Sequence, residues 1–422
     1  MPAPLGPHHP AAWPGGSLLG GPVDWRALRR VVAVRPDNLG DVVLAEPALR
    51  ALRAALHPDA TLELLTSPAG AAVAPLLEPV DVVTVVGRPS WQQAGPPDAH
   101  RPPTPDDDVV DLLRGADAVV ALTSFSQSPW PVAVLAQRAG VGVRVGMSAE
   151  FGGPSLTHWV LPSEDAATQH QVDRQLHLLR EVGVEPAPGP VPPGGLLDGL
   201  RRRPPPPPWP ADRPRLVDPD GDDGDGPGDR AVDALDELWA GAGSAMHDGL
   251  EPFDVGCAVL LPGASCSSRR WPAERFAAVA EALGQQRGGP VVVAGSAGEA
   301  ALVARVVEGS GLGPDQVRGT AGTLGVAELC ALLRAAWVVV VNNSGGAHLC
   351  EALDVPLVEL FAGTETPSQY APRHLVAAGR AEVLTVPVAC SPCRRFVCPY
   401  EQQCLDVAPD DVLAAVERVG RS

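Results

Sequence analysis

Asp41 directly follows Gly40 in "VVAVRPDNLGDVVLAEPALRALRAAL", where an apolar run breaks into Asn38-Leu39-Gly40 and a helical pattern begins. A carboxylate at the carboxyl end of a strand can take a proton from a ligand hydroxyl. It can equally cap the helix, because an aspartate there accepts the unpaired N–H groups of the first turn. This stretch alone leaves both open, with the cap the commoner outcome.

Two further stretches have the make-up of anion sites. In "LLPGASCSSRRWPAERFAAVAEAL" an apolar strand ends in Pro262-Gly263-Ala264-Ser265, and Arg269 and Arg270 precede a helix with Pro272 in its first turn. Proline suits that position because its missing N–H would be unpaired anyway. Small residues, hydroxyls, two guanidiniums and a helix N-terminus together make a phosphate cradle; the alternative is a solvated arginine pair. In "VVVVNNSGGAHLCEALDVPLVELF" a strand runs into Asn343, Ser344, Gly345 and Gly346, then a helix bearing His348. Adjacent glycines admit a ligand close to the backbone, and the helix N–H groups attract negative charge. His348 can donate to a phosphate or serve as a core histidine bonded to backbone. A weaker signal is "GSAGE", whose Glu299 suits a ribose hydroxyl.

Of the 8 cysteines, Cys390, Cys393, Cys398 and Cys404 form C-x2-C-x4-C-x5-C. Four thiolates so close could surround a structural zinc or iron–sulfur cluster. Disulfides compete with that reading, and the gaps after C-x2-C fit no standard site closely. Cys257, Cys266, Cys330 and Cys350 are scattered and read as small core residues.

The elements that must position these groups alternate. Strand patterns at 31–34, 61–66, 81–86, 118–122 and 141–145 interleave with helical ones at 48–56, 69–77, 131–140 and 169–182. The alternation restarts with strands at 257–261, 291–294, 337–341 and 357–361, and helices at 273–283, 299–307, 326–335, 346–353 and 410–419. Such a pattern implies parallel sheets covered on both faces, with ligands beyond the carboxyl ends of the strands. The stretch 89–106 reads as a surface loop. Four segments result: a flexible tail over 1–28, an α/β domain over 29–184, a Pro/Asp/Gly-rich linker or insertion over 185–253, and a second α/β domain over 254–422. Within the linker, 230–240 has a helical pattern, and the acidic run from Asp218 lacks the glycine placement of a calcium loop.

The chain of 422 residues has 32 basic residues, all arginine, against 50 acidic ones, for a net charge of −18. That balance argues against a nucleic-acid partner, which needs a basic face. With no lysine, a phosphate must be held by arginine, histidine, hydroxyls or backbone N–H groups. Neither G-x-G-x-x-G nor a Walker A pattern occurs, so dinucleotide and P-loop chemistry lose their best support. No apolar run approaches a membrane span, and the N-terminus lacks the basic start and apolar core of a signal peptide. The expectation is a cytoplasmic protein with reduced cysteines. Peripheral association with the inner face of the membrane stays open.

Together these stretches resemble glycosyltransferase family 9, the ADP-heptose:lipopolysaccharide heptosyltransferase group. The "R-P-D-N-x-G-D" strand-to-helix segment with "P-A-L-R-A-L" is matched at 35–52, and "P-G-A-S…R-W-P-x-x-R/H-F/W" at 262–276. "D-S/T-G-x-x-H" is matched with one change at 343–348, and "C-S-P-C…C-P…C-L" at 390–405. The resemblance spans roughly 29–182 and 257–419.

It implies a GT-B fold: two Rossmann-like domains whose parallel sheets face each other across a cleft. The implied reaction is inverting, metal-independent transfer of a sugar, heptose in that group, from a nucleotide-sugar donor to a glycan or glycolipid such as the lipopolysaccharide core. By the same resemblance Asp41 is the general base. Ser265, Arg269, Arg270, Ser344, Gly345, Gly346 and His348 hold the donor diphosphate, Glu299 meets the ribose, and Thr323 and Leu324 lie near the base. Catalysis then requires no cofactor. Asn343 departs from the family, which has aspartate there; asparagine keeps the hydrogen bonding but carries no charge. Two other readings are a nucleotide-sugar epimerase of the same fold and a sugar-nucleotide-binding protein without turnover. The acceptor loops are expected around 88–101 and 123–130, and no residue pattern spells out the acceptor or the oligomeric state.

Overall fold

The computed structural model describes residues 20–91, 103–125, 127–150, 153–185, 256–286 and 290–420. Two compact units result. One comprises 20–185 with Thr364–Ala371 and Cys390–Phe396; the other comprises 256–363, Pro372–Ala389 and 397–420. The linker beyond residue 185, its helix at 230–240, the acidic run and the tail up to residue 19 lie outside the described residues.

The first unit is built on β1 (Arg30–Arg35), β2 (Thr61–Thr66), β3 (Val82–Val85), β4 (Ala118–Ala121), β5 (Val143–Met147) and β6 (His158–Val160). All neighbours are parallel, in the order β3-β2-β1-β4-β5-β6. Alternate residues of a strand point to opposite faces. Val32 and Val34 therefore join Val119, Leu113 and Leu135 in one core, whose last two come from helices Asp106–Leu113 and Trp130–Arg138. Val31 and Ala33, on the other face, are fully buried too. Burial on both sides is why β1 reads as a continuous apolar run and not as an alternating one.

The structure adds β6 and helix Asp106–Leu113 to the expected elements. The helix expected over 69–77 is a short helix, Pro68–Ala71, and a 3-10 turn, Ala74–Leu76. Pro75 lacks the N–H that a continuous helix would use there. Residues 20–28, counted with the tail, pack on this unit: Trp25 is buried and its indole N–H donates to the Val182 carbonyl at 3.0 Å.

The second unit repeats the plan with β7 (Cys257–Leu261), β8 (Val291–Val293), β9 (Val317–Gly319), β10 (Ala336–Asn342), β11 (Leu357–Leu360) and β12 (Ala381–Leu384). Its order, β12-β11-β10-β7-β8-β9, is the same connectivity, again all parallel. Its core centres on Trp271 and Phe276, edge to face with ring centroids 5.0 Å apart, packed with Val338, Val340, Val412 and Val416. The strands β9 and β12 are additions to the expected set. In each unit the chain reverses its direction of strand addition between two central strands, β1 and β4 or β7 and β10. A crevice opens at such a switch point, beyond the carboxyl ends of the strands. No helix among the described residues is long and apolar enough to cross a membrane.

Candidate active site

At the first switch point, β1 ends in Arg35, whose side chain is wholly buried. The helix Leu39–Val43 follows, and its N-cap is Asn38, without a side-chain cap bond. Asp41 stands in the first turn and is not the cap. Its Oδ1 accepts a hydrogen bond from Arg35 Nη2 at 2.7 Å, and its side chain remains 25% exposed. The capping alternative is thereby replaced by an ion pair that leaves one carboxylate oxygen free of Arg35.

Arg35 serves a second acid. Its Nη1 lies 3.3 Å from Asp37 Oδ2 and donates to the Leu122 carbonyl at 2.9 Å. Gln127, in the loop after β4, donates to Asp37 Oδ1 at 2.5 Å and accepts from the Ser124 N–H at 2.9 Å. Burial raises the Asp37 carboxyl above its ordinary range, and Asp41 adds to this while Arg35 and Gln127 oppose it. Burial also works against the charge on Arg35, but Asp37 and Asp41 outweigh it and raise its pKa. Sequence reasoning singled out Asp41 and missed Arg35, Asp37 and Gln127. The available signal was an arginine closing an apolar strand, with acids two and six residues on.

Around this network lie groups from distant segments of the same unit. Arg174, on helix Gln171–Glu181, is buried, and burial lowers its pKa, with Tyr370 and Arg35 nearby. Its guanidinium lies 5.9 Å from the Phe125 ring centroid, and that of Arg394 lies 5.2 Å from it. Of the expected acceptor loops, 92–100 lies outside the described residues, while Ser124 and Gln127 belong to the Asp37 network.

The second unit gathers the expected donor-side residues at the carboxyl ends of β7, β8, β9 and β10. Ser265 is exposed in the loop after β7, ahead of the 3-10 turn Ser267–Arg269. Arg270 folds back, donating from Nε and Nη2 to the Ala264 carbonyl at 3.1 and 2.8 Å, and lies 3.9 Å from Glu299 Oε1. Glu299 closes a capping box with Ser296, accepting from its N–H and hydroxyl at 2.9 Å each. Its Oε1 would collide with a side chain at Gly263, so glycine is required there for the carboxylate to approach the loop. Thr323, exposed, donates to the Thr320 carbonyl at 3.1 Å, with the half-buried Leu324 beside it.

At the end of β10, Asn342 is fully buried and joins that strand end to the end of β7. Its Nδ2 donates to the Pro262 carbonyl at 2.8 Å, and its Oδ1 accepts from the Trp271 N–H at 3.0 Å. Asn343 Oδ1 accepts from the Ala362 N–H at 3.1 Å. Ser344 is the N-cap of helix Gly345–Ala352, without a side-chain cap bond, and His348 is the fourth residue of that helix. A Cβ at Gly346 would fall 2.5 Å from Leu261 Cδ1, so this glycine serves helix-to-strand packing. Beneath the helix, the fully buried Glu359 of β11 has its carboxyl raised to about 8 by burial and by Glu351, against the pull of Arg269.

The structure lends no support to a zinc or iron–sulfur site at Cys390, Cys393, Cys398 and Cys404. Among the described residues no three His, Cys, Asp or Glu side chains come together to hold a metal, and all eight cysteines are free. Cys404 is half-buried against the core of the second unit, while Cys390 is exposed. Cys390 and Cys393 group with one unit, Cys398 and Cys404 with the other. Close spacing in the chain does not become a tetrahedron.

Residues 237–403 match the model of glycosyltransferase family 9 (heptosyltransferase). That segment of the chain is similar to the family. The match covers the loops after β7, β8, β9 and β10 and supports a glycosyltransferase. A glycosyl transferase family 9 structure from Veillonella parvula is similar over 95% of this chain and 99% of that one, at 19% identity and a TM-score of 0.64. The ADP-heptose LPS heptosyltransferase II of E. coli follows, with 93% and 98% covered, 19% identity and 0.60. The E. coli heptosyltransferase WaaC with ADP gives 92% and 99%, 18% and 0.56. At such identities the likeness establishes the fold, the GT-B architecture of two Rossmann-like units. No curated protein matches this glycosyltransferase.

Proposed function

We propose that this glycosyltransferase moves a sugar, heptose by analogy with the family, from a nucleotide-sugar donor to a hydroxyl of a glycan or glycolipid. Transfer proceeds with inversion and without a metal. The observation that carries the reading is Asp41: a partly exposed carboxylate at the carboxyl end of β1, anchored through one oxygen by a buried arginine. Its other oxygen takes the proton of the acceptor hydroxyl as that oxygen bonds to the anomeric carbon. The bond from the anomeric carbon to the diphosphate oxygen breaks at the same time, and the electron pair leaves with the nucleoside diphosphate.

The developing negative charge is met by the second unit. Ser265, Arg269, Arg270, His348 and the N-terminus of helix Gly345–Ala352 at Ser344, Gly345 and Gly346 hold the diphosphate. Fixed donors of this kind stabilise a leaving group without reorganising at the moment of reaction. Glu299 accepts from the ribose, and Thr323 and Leu324 flank the base. A lysine-free chain must do this with guanidiniums, hydroxyls and backbone, and these loops contain them.

The test is calorimetric titration with ADP-heptose, GDP- and UDP-sugars and the free nucleotides, followed by product analysis with candidate acceptors. Base-selective binding and an inverted anomer in the product support the reading. An epimerised nucleotide sugar, or binding without any turnover, would overturn it.

A further inference from the structure

The pairing of Asp41 with Arg35 creates a difficulty for a general base. Arg35 is fully buried, so protonating its partner would strand a guanidinium in a low-dielectric site, which is strongly unfavourable. The arrangement calls for a second anion to keep the arginine paired. The structure supplies one. Asp37 Oδ2 lies 3.3 Å from Arg35 Nη1, Asp41 Oδ1 lies 2.7 Å from Nη2, and the two acids thus occupy different ends of one guanidinium.

Asp37 is itself fixed. Gln127 donates to its Oδ1 at 2.5 Å, and the Ser67 hydroxyl donates to its backbone carbonyl at 2.5 Å. Gln127 is oriented in turn by the Ser124 N–H. Asp37 is only 8% exposed in its side chain against 25% for Asp41, so solvent reaches the reacting acid far more than the supporting one. Among the described residues, the other charged or titratable groups interacting with Arg35 are Tyr370 and Arg174, neither of them a carboxylate.

We propose that Asp37 is a positioning residue: it keeps Arg35 paired while Asp41 carries the acceptor's proton, so that Asp41 can act as a base without stranding a buried cation. This rests on the reading of Asp41 as base. In the step, the proton passes from the acceptor hydroxyl to the free oxygen of Asp41. The Arg35 charge, shared before the step, is balanced by Asp37 after it. No further proton or electron moves.

The deciding experiment needs no substrate. Asp41→Asn imitates the neutral base, and the carboxyl carbons of the full chain labelled with 13C-aspartate are titrated in wild type and variant. The Asp37 resonance is assigned by its loss in Asp37→Asn or, should that variant not fold, by its perturbation in Gln127→Leu. With Asp41 neutral, Asp37 has sole claim on Arg35 and no neighbouring anion, so its midpoint should fall by roughly one pH unit. An unmoved or raised midpoint overturns the proposal.

A second arm reads turnover, as ADP release from ADP-heptose with water as acceptor. Protonating Asp37 removes its support, so the wild-type rate should decline as pH falls through the Asp37 midpoint. The ratio of the wild-type rate to that of Asp37→Asn should there shrink towards one, with KM for donor unchanged. A constant offset between the two at every pH indicates a merely structural role and overturns the proposal. Full turnover by Asp41→Asn would instead remove Asp41 as the base, a separate outcome from the behaviour of the Asp37 resonance.

Discussion

Asn343 Oδ1 accepts the Ala362 N–H at 3.1 Å, so the end of β10 is tied to the turn that follows β11. The bond needs an oxygen acceptor in that place and no charge, which an asparagine supplies as well as an aspartate would. A carboxylate at the same position would accept the same N–H and sit beside the N-terminus of helix Gly345–Ala352, where negative charge is favoured. Asn343→Asp should therefore change stability little. Asn343→Leu would leave a buried N–H unpaired, at about 1–3 kcal/mol. Urea unfolding of the two variants checks this; equal losses would mean that the Ala362 bond contributes nothing.

Removal of the Asp41 charge has a different signature. Asp41→Asn should leave donor affinity intact and reduce transfer about 10²-fold or more, the usual contribution of a general base. Calorimetry and a transfer assay on the same preparation separate the two effects, and unchanged turnover would take Asp41 out of the mechanism.

For the donor side, Arg269→Ala with Arg270→Ala should weaken nucleotide binding about tenfold or more, since charge-assisted bonds to phosphate are among the strong ones. Arg270→Ala also removes the two bonds that hold the Ala264 carbonyl. Undiminished affinity in the double variant would move the phosphate site elsewhere.

Glu359 makes a prediction about pH. Its carboxyl ionises at about 8 in the fold against an ordinary 4.5, chiefly through burial, so between those values the folded chain binds the extra proton. Stability from this group is thus complete at acid pH and is lost as pH rises from about 4.5 towards 8. Glu359→Gln should flatten that dependence and raise Tm at pH 8 relative to wild type. Thermal melts at pH 5 and pH 8 would show it, and parallel curves would contradict it.

Chelation offers a fifth check. EDTA should leave both turnover and the thermal melt unchanged, because the thiols of Cys390, Cys393, Cys398 and Cys404 do not converge. Loss of either on chelation, restored by a metal, would show otherwise.

The strands were legible wherever both faces are buried, because β-branched runs such as 31–34 and 338–341 have few other uses. Of the four edge strands only β3 was read, at 81–86, while β6, β9 and β12 were not. β9 offers a single valine in Val317-Arg318-Gly319, and β6 only His158-Trp159-Val160, too short for any periodicity to register. The donor-side loops stood out because each breaks an apolar run with glycines and hydroxyls. Arg35 did not stand out, since its partners Leu122 and Gln127 are some ninety residues away and only the β1–β4 pairing brings them near. The cysteine spacing left the metal reading open, because nearness along the chain says nothing of the direction in which each thiol points.

Asn342 holds the Pro262 carbonyl and the Trp271 N–H with one amide, and those are the two ends of the loop bearing Ser265, Arg269 and Arg270. The loop is thus a closed ring, riveted to β10, whose shape is set before any ligand arrives. Its fluctuations are those of the central sheet and not those of a surface segment, so the amide proton of Trp271 should exchange with solvent on the slow timescale of the core.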